Sequence, residues 1–159
     1  MILVLLGTQD NPFNRIMKEV SRQIKLGNIK ERVVAQVGCT KNIDEKIESF
    51  DFCLKEKIEK LIEEARIVIC HAGVGTIIEC LNKNKRVIVV PRLKKYGEHA
   101  NDHQVQITKD FESKGYIIPL YNVKKLDKAL EDIKKFKPNK YESNTEKFKS
   151  KIEEYINML

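Results

Sequence analysis

Ile2 to Leu6, Ile67 to Cys70 and Arg86 to Val90 are short, almost unbroken apolar runs, without the in–out alternation of a half-solvated strand. Runs of this kind fit strands buried on both faces. Stripes with helical spacing lie between them. Phe13, Ile16, Met17, Val20 and Ile24 recur at i, i+3, i+4, i+7 and i+11, and Leu54, Ile58, Leu61, Ile62 and Ala65 form a second set. Arg32 to Val37 reads as a further strand closed by Gly38, Phe50 to Leu54 as a short third one, and Tyr116 to Pro119 as the last. Helices are predicted from Thr76 to Lys83, from Asp102 to Lys114, and through Leu126, Ala129, Leu130, Ile133 and Phe136. Strands alternating with helices in this way predict one α/β domain, a doubly wound parallel sheet covered on both faces. Lys137 to Thr145 is the linker candidate, and Phe148, Ile152, Tyr155, Ile156 and Leu159 mark a final helical stripe beyond it.

The length of 159 residues suits one such domain and is too short for two nucleotide-binding lobes. Thirty Lys and Arg against 23 Asp and Glu leave a net charge of +7. That surplus favours anionic partners: nucleotides, phosphorylated lipids, an anionic membrane or RNA. RNA is disfavoured, because the six Phe and five Tyr fall mostly on apolar stripes and Trp is absent. Cys39, Cys53, Cys70 and Cys80 form no C-x-x-C pair and sit among apolar residues, so reduced, buried thiols in a cytoplasmic protein are expected. The opening Met1 to Leu6 run is too short for a signal peptide or a membrane span.

In an open parallel sheet, ligands bind beyond the carboxyl ends of the strands. Unusual residues stand at four predicted strand ends: Gly7-Thr8, Gly38, His71 to Thr76, and Pro91 with the loop after it. Gly73 and Gly75 follow a strand and open a helix, an arrangement that lets backbone N–H groups meet phosphate. Ile78 stands where a dinucleotide fingerprint has its third glycine, which disfavours NAD. The turn fits either a phosphate site or a plain strand-to-helix connection. Glu79, one turn inside the helix, fits either a ribose diol or a surface acid placed against the helix dipole. Asn101 or Asp102 can cap the next helix, but His99, His103 and Gln104 exceed what a cap needs. His99 and His103 lack the further ligands that zinc requires, and no D-x-D motif is present, so no metal is expected.

Several stretches together resemble a known family. They are Gly7-Thr8 with Asn11 to Arg15, Val37-Gly38, Val68 to Glu79, Lys85 to Arg92, and Asn101 to Gln104. In this order and spacing they resemble the C-terminal, sugar-nucleotide-binding half of family 28 glycosyltransferases, within it the stand-alone Alg13-like or PssE-like subunits. The resemblance spans roughly residues 1 to 135, and the last twenty residues match nothing diagnostic.

The resemblance implies a Rossmann-like single lobe of a GT-B fold, with a UDP-sugar-binding domain over 1–136 and a linker and C-terminal helix over 137–159. It implies a nucleotide-sugar site of Gly7, Thr8, Gly38, Gly73, Val74, Gly75, Thr76, Glu79, Asn101, Asp102 and Gln104. In that site Gly73 to Thr76 face the diphosphate, Glu79 meets the ribose, Asp102 to Gln104 approach the sugar, and Gly7-Thr8 lie at the mouth of an interlobe cleft. His71 and His103 are the local candidates for the catalytic base, which a partner lobe can equally supply. Relatives often read Gly-Thr-His-Glu at the first turn, whereas this chain has Gln9-Asp10, so any role of that histidine does not carry over.

The implied function is inverting transfer of a sugar from a UDP-sugar to a lipid-linked acceptor in polysaccharide or glycolipid synthesis, with exopolysaccharide as the expected setting. A non-catalytic accessory subunit is the alternative. The implied partner is an Alg14-like or PssD-like membrane-associated subunit, which would hold this chain at the cytoplasmic membrane face. Arg92, Lys94 and Lys95 belong either to a surface facing an anionic membrane or to a solvated loop.

Overall fold

A computed structural model describes residues 1–143. In chain order the elements are β1 (Ile2–Leu5), α1 (Asn14–Lys25), β2 (Val33–Gln36), β3 (Glu48–Phe50), α2 (Lys55–Glu64) and β4 (Ile67–His71). Then come α3 (Val74–Asn82), β5 (Arg86–Val90), α4 (His103–Ser113), β6 (Ile118–Pro119) and α5 (Leu126–Lys135). Short 3₁₀ turns at Lys94–Tyr96 and Val123–Lys125 precede α4 and α5.

The strands form one six-stranded sheet in the order β3-β2-β1-β4-β5-β6. Every pairing is parallel. This is the strand order of the doubly wound dinucleotide-binding sheet, in which the chain reverses its direction of travel between β1 and β4. The loops leaving those two neighbours diverge and open a crevice at their carboxyl ends.

Alternation along each strand divides the core in two. Ile2, Val4, Ile67, Ile69, Ile88 and Val90 face Phe13, Ile16, Val20, Leu126 and Ile133 from α1 and α5. Leu3, Leu5, Val68, Cys70, Val87 and Val89 face Leu61, Ile62, Ile77, Cys80 and Leu81 from α2 and α3, with Ile107 and Phe111 of α4 alongside. Neither face of the central strands needs polar residues, which explains the unbroken apolar runs. Each fully buried side chain of this kind contributes roughly 1.5–3 kcal/mol.

The third strand, the starts of α3 and of the last strand, which begins at Ile118 and not Tyr116, and the burial of two cysteines differ from the sequence reading. The third strand occupies Glu48–Phe50 and ends where the sequence places its start. Only Phe50 of the Phe50 to Leu54 run packs on the core; Phe52 is 53% exposed and Leu54 78%. Pairing with Val34 to Gln36 sets this register, and the later apolar residues spill past the sheet end. Helix α3 begins at Val74, two residues before the predicted start. All four cysteines are free, but Cys39 and Cys53 are only half-buried, because both lie beyond the ends of the strands that would cover them.

After α5 the chain folds back. The Asn139 N–H donates to the Gly115 carbonyl, and its side-chain amide donates to the Lys114 carbonyl. Tyr141 packs edge-on against Tyr116, with ring centroids 5.5 Å apart. The first part of the linker candidate is thus tied to the α4–β6 turn. The stripe from Phe148 to Leu159 lies outside the described residues.

Candidate functional site

The crevice between the carboxyl ends of β1 and β4 gathers much of what the sequence singles out. Its floor is the His71 imidazole. His71 Nδ1 lies 3.2 Å from the Leu5 carbonyl oxygen. A carbonyl only accepts, so Nδ1 carries the proton, and in the neutral ring Nε2 holds the lone pair. The ring lies between two glycines. A Cβ on Gly7 would stand 2.8 Å from the imidazole, and one on Gly73 would run into Nε2. Gly7 also has φ of 81°, and Gly38, at φ 54°, would press a Cβ within 3.0 Å of the Gly7 carbonyl oxygen. Steric room for an imidazole explains Gly73, whose own backbone is extended. The sequence reading gave that room to phosphate.

Burial pushes the His71 pKa down to about 4, helped by the charges of Arg92 and His99 and opposed by the bond to Leu5. His71 is therefore neutral at physiological pH. A general base works best with a pKa near the operating pH, so His71 is poorly matched to that task.

Helix α3 starts at this crevice. No side chain caps it, and its first internal bond runs from Ile77 N–H to the Gly73 carbonyl. The N–H groups of Val74, Gly75 and Thr76 precede the ladder and carry the positive end of the helix dipole. Val74 and Gly75 are exposed and Thr76 is half-buried. Around Gly75 a Cβ would meet nothing within 4 Å. Glu79 sits one turn on, so Gly75 and Glu79 share the face opposite the buried Ile77, Cys80 and Leu81. Glu79 Oε1 is buried and has no hydrogen-bond partner among the described residues. An unpartnered buried carboxylate oxygen is costly unless something donates to it.

The α4 side is built differently. Gln104 is buried, and its Oε1 accepts from Ala72 N at 3.1 Å and from Arg92 N at 3.0 Å, joining the ends of β4 and β5 to α4. Asn101 Oδ1 accepts from His103 N, and Asp102 Oδ1 from Lys94 N. His103 itself is exposed at the start of α4, and Thr8 is exposed after β1. Of the residues predicted to approach the sugar, Gln104 is engaged within the protein, His103 is exposed, and Asp102, with the neighbouring Asn101, shapes the turn ahead of the helix.

Arg92 is 1% exposed, which overturns both sequence readings of it as a surface charge. Its guanidinium donates to the carbonyls of Leu6, Asn11 and Glu98 and lies 4.8 Å from the Phe13 ring centroid. Arg15 meets Glu98 Oε1 at 2.7 Å and the Pro91 carbonyl, while Glu98 Oε2 accepts from Leu93 N. Thr40 Oγ1 accepts from Phe13 N. Together these contacts fasten the β1–α1 loop to the loops after β2 and β5. Sequence reasoning missed this network. Its one visible signal was the Asn11 to Arg15 stretch, which carried resemblance but no assigned role. Phe52, 3.6 Å from the Cβ position of Gly38, was likewise missed as an exposed aromatic at the crevice mouth.

A concavity of about 670 Å³ at the opposite, amino end of the sheet is lined by Gly27, Asn28, Glu31, Arg66 and Lys134, among others. Arg66 and Glu31 pair there with each other, so its charges are partly satisfied within the protein.

The model of the glycosyltransferase family 28 C-terminal domain matches residues 1–159. Two curated relatives are named UDP-N-acetylglucosamine transferase subunit ALG13. The one from Candida albicans is 36% identical over 90 residues, covering 57% of this chain and 28% of that protein. The human one is 28% identical over 125 residues, covering 73% of this chain and 10% of that protein. The match therefore spans less than a third of the length of either. Among solved structures, the kitacinnamycin glycotransferase superposes with a TM-score of 0.59 at 16% identity, covering 82% of this chain and 34% of that one. The calicheamicin glycosyltransferase CalG4 does so with 0.57 at 15%, covering 83% and 33%. At such identities the two structures speak for the fold alone.

Proposed function

Since this chain belongs to the glycosyltransferase family 28 C-terminal domain family, we propose that it is the donor-binding catalytic subunit of an inverting glycosyltransferase. The observation that carries this reading is the α3 start: open N–H groups and, on the face of Gly75, a buried carboxylate oxygen without a donor. A UDP-sugar supplies both complements, a diphosphate for the helix start and a ribose diol for Glu79. UDP-N-acetylglucosamine is the first donor to test, because both ALG13 relatives are named for it.

In the reaction proposed, the acceptor hydroxyl attacks the anomeric carbon from the face opposite the diphosphate. The bond to the diphosphate breaks, and negative charge grows on the leaving oxygen. N–H groups of Val74, Gly75 and Thr76 would stabilise that charge. The base that takes the hydroxyl proton is His103 or a group of the partner lobe, given the low basicity of His71. The acceptor is lipid-linked, and a membrane-associated Alg14-like or PssD-like chain supplies its lobe and brings this chain to the cytoplasmic membrane face. No metal takes part.

Calorimetry on the purified chain should show UDP binding more tightly than ADP. The chain alone should transfer nothing. Co-expression with its companion should switch on transfer, and EDTA should leave that transfer unchanged. Equal affinity for ADP and UDP would remove the nucleotide site; robust transfer by the isolated chain would remove the split enzyme.

A further inference from the structure

We propose that the groove between Tyr96 and Tyr121, rimmed by Lys94, Lys95, Lys124 and Lys125, docks this chain directly on an anionic phospholipid surface. The loops after β5 and β6 meet at one corner of the sheet's carboxyl end. Between them runs a groove of about 420 Å³ lined by Arg15, Lys95, Tyr96, Tyr121, Val123 and Lys124.

Both rings are solvent-facing, Tyr96 at 57% and Tyr121 at 39% exposure, and the Tyr121 hydroxyl donates to Glu112 Oε2 at 2.7 Å. Lys94 and Lys95 sit on one 3₁₀ turn, Lys124 and Lys125 on the other, and all four are exposed. Lys25, Lys41, Lys55 and Lys83 are held in ion pairs elsewhere, whereas none of these four has an ionic partner among the described residues. Lys95 Nζ lies 4.9 Å from the Tyr96 ring centroid, so cation and ring are presented together.

This pairing of residue types suits one environment. Tyrosine settles at the headgroup level with its ring toward the acyl chains and its hydroxyl in water. Lysines beside it reach the phosphates, each worth about a five-fold gain in partitioning at an anionic surface. The rim is also held in place. Glu98 accepts from Leu93 N, Asp102 accepts from Lys94 N, and the Arg15 guanidinium lies 5.1 Å from the Tyr96 ring centroid. Docking therefore does not have to order a floppy loop first. The groove shares the carboxyl end of the sheet with the crevice, so docking would bring the crevice mouth to the bilayer. A lipid-linked acceptor is delivered there, and in that respect alone the inference rests on the function proposed above.

The test is co-sedimentation of the full chain with vesicles of phosphatidylcholine and phosphatidylglycerol, against phosphatidylcholine alone. Binding is expected only to the anionic vesicles and should weaken as salt is raised. The combined variant K94E/K95E, and separately K124E/K125E, should each lower partitioning by roughly ten-fold or more. Tyr96→Ser should lower it with the charge unchanged. K30E/K134E, at the opposite end of the sheet, makes the same charge change and should lose far less. Equal losses at both ends would reduce the effect to net charge and overturn the proposal. So would absence of vesicle binding, or binding of single-stranded RNA that these variants abolish while vesicle binding persists. UDP calorimetry on the same proteins separates the two readings: vesicle binding without UDP binding leaves the docking surface standing and removes the donor site.

Discussion

The two helix starts that flank the crevice are built in opposite ways. At α3 the polar groups face outward: no capping side chain, open space around Gly75, and a Glu79 oxygen without a donor. At α4 they turn inward, with Gln104, Asp102, Asn101 and Glu98 each accepting from a neighbouring backbone or guanidinium group. In sequence both stretches are small or polar residues after an apolar strand. What separates a binding surface from a clamp is where the hydrogen-bonding capacity goes.

The inward side should be the costly one to damage. Arg92→Ala would leave the Leu6 and Asn11 carbonyls without a donor and a buried hole beside Phe13. A loss on the order of 3–5 kcal/mol is expected in urea unfolding. A loss of about 1 kcal/mol, the scale of a surface pair, would show that the clamp holds little.

The floor of the crevice gives the next largest effect, and it depends on pH. With a folded-state pKa of about 4 against an ordinary 6.5, His71 binds its proton more readily in the unfolded chain. Its contribution is fully present above pH 6.5 and is lost as pH falls toward 4, on the order of 3 kcal/mol in all. The decline should be shallower in His71→Asn, and parallel profiles for the two proteins would dismiss this assignment.

The outward side should respond in binding and not in stability. Glu79→Ala should weaken UDP by roughly 1–3 kcal/mol and leave the unfolding free energy within about 0.5 kcal/mol of the parent. An equal loss in both measurements would make Glu79 a structural residue.

The mildest pair sharpens the boundary between the two sides. Gly73→Ala should destabilise by about 1–3 kcal/mol, because its methyl meets the His71 ring. Gly75→Ala, in a helix with open space around it, should change stability by under about 1 kcal/mol and in the stabilising direction. Similar outcomes for the two glycines would erase the distinction between packing and access.

Most of the fold could be read from residue pattern, because strands buried on both faces leave an unmistakable apolar signature at Ile67 to Cys70 and Val87 to Val90. The edge strand was misplaced because Phe50, Phe52 and Leu54 look alike in sequence, and only pairing with β2 decides which of them is covered. At the crevice, the position of the glycine turn and of Glu79 was legible, since both are local to one helix. The reason for Gly73 was not, because His71 reaches across to β1 and its contacts are 66 residues apart in sequence. Arg92 was misread for the same reason: its partners Leu6 and Asn11 lie more than 80 residues away, and an isolated arginine in a basic loop gives no hint of burial.

The shared acceptor at Gln104 has a mechanical consequence. One oxygen holds the amide of Ala72 at the end of β4 and that of Arg92 at the end of β5, so any motion that withdraws Gln104 releases both at once. Their amide hydrogens should exchange with solvent at closely matched rates, through a single opening that swings α4 away from both strands. Until that opening occurs, the ends of β4 and β5 and the start of α4, all on one side of the crevice, travel as one stiff plate.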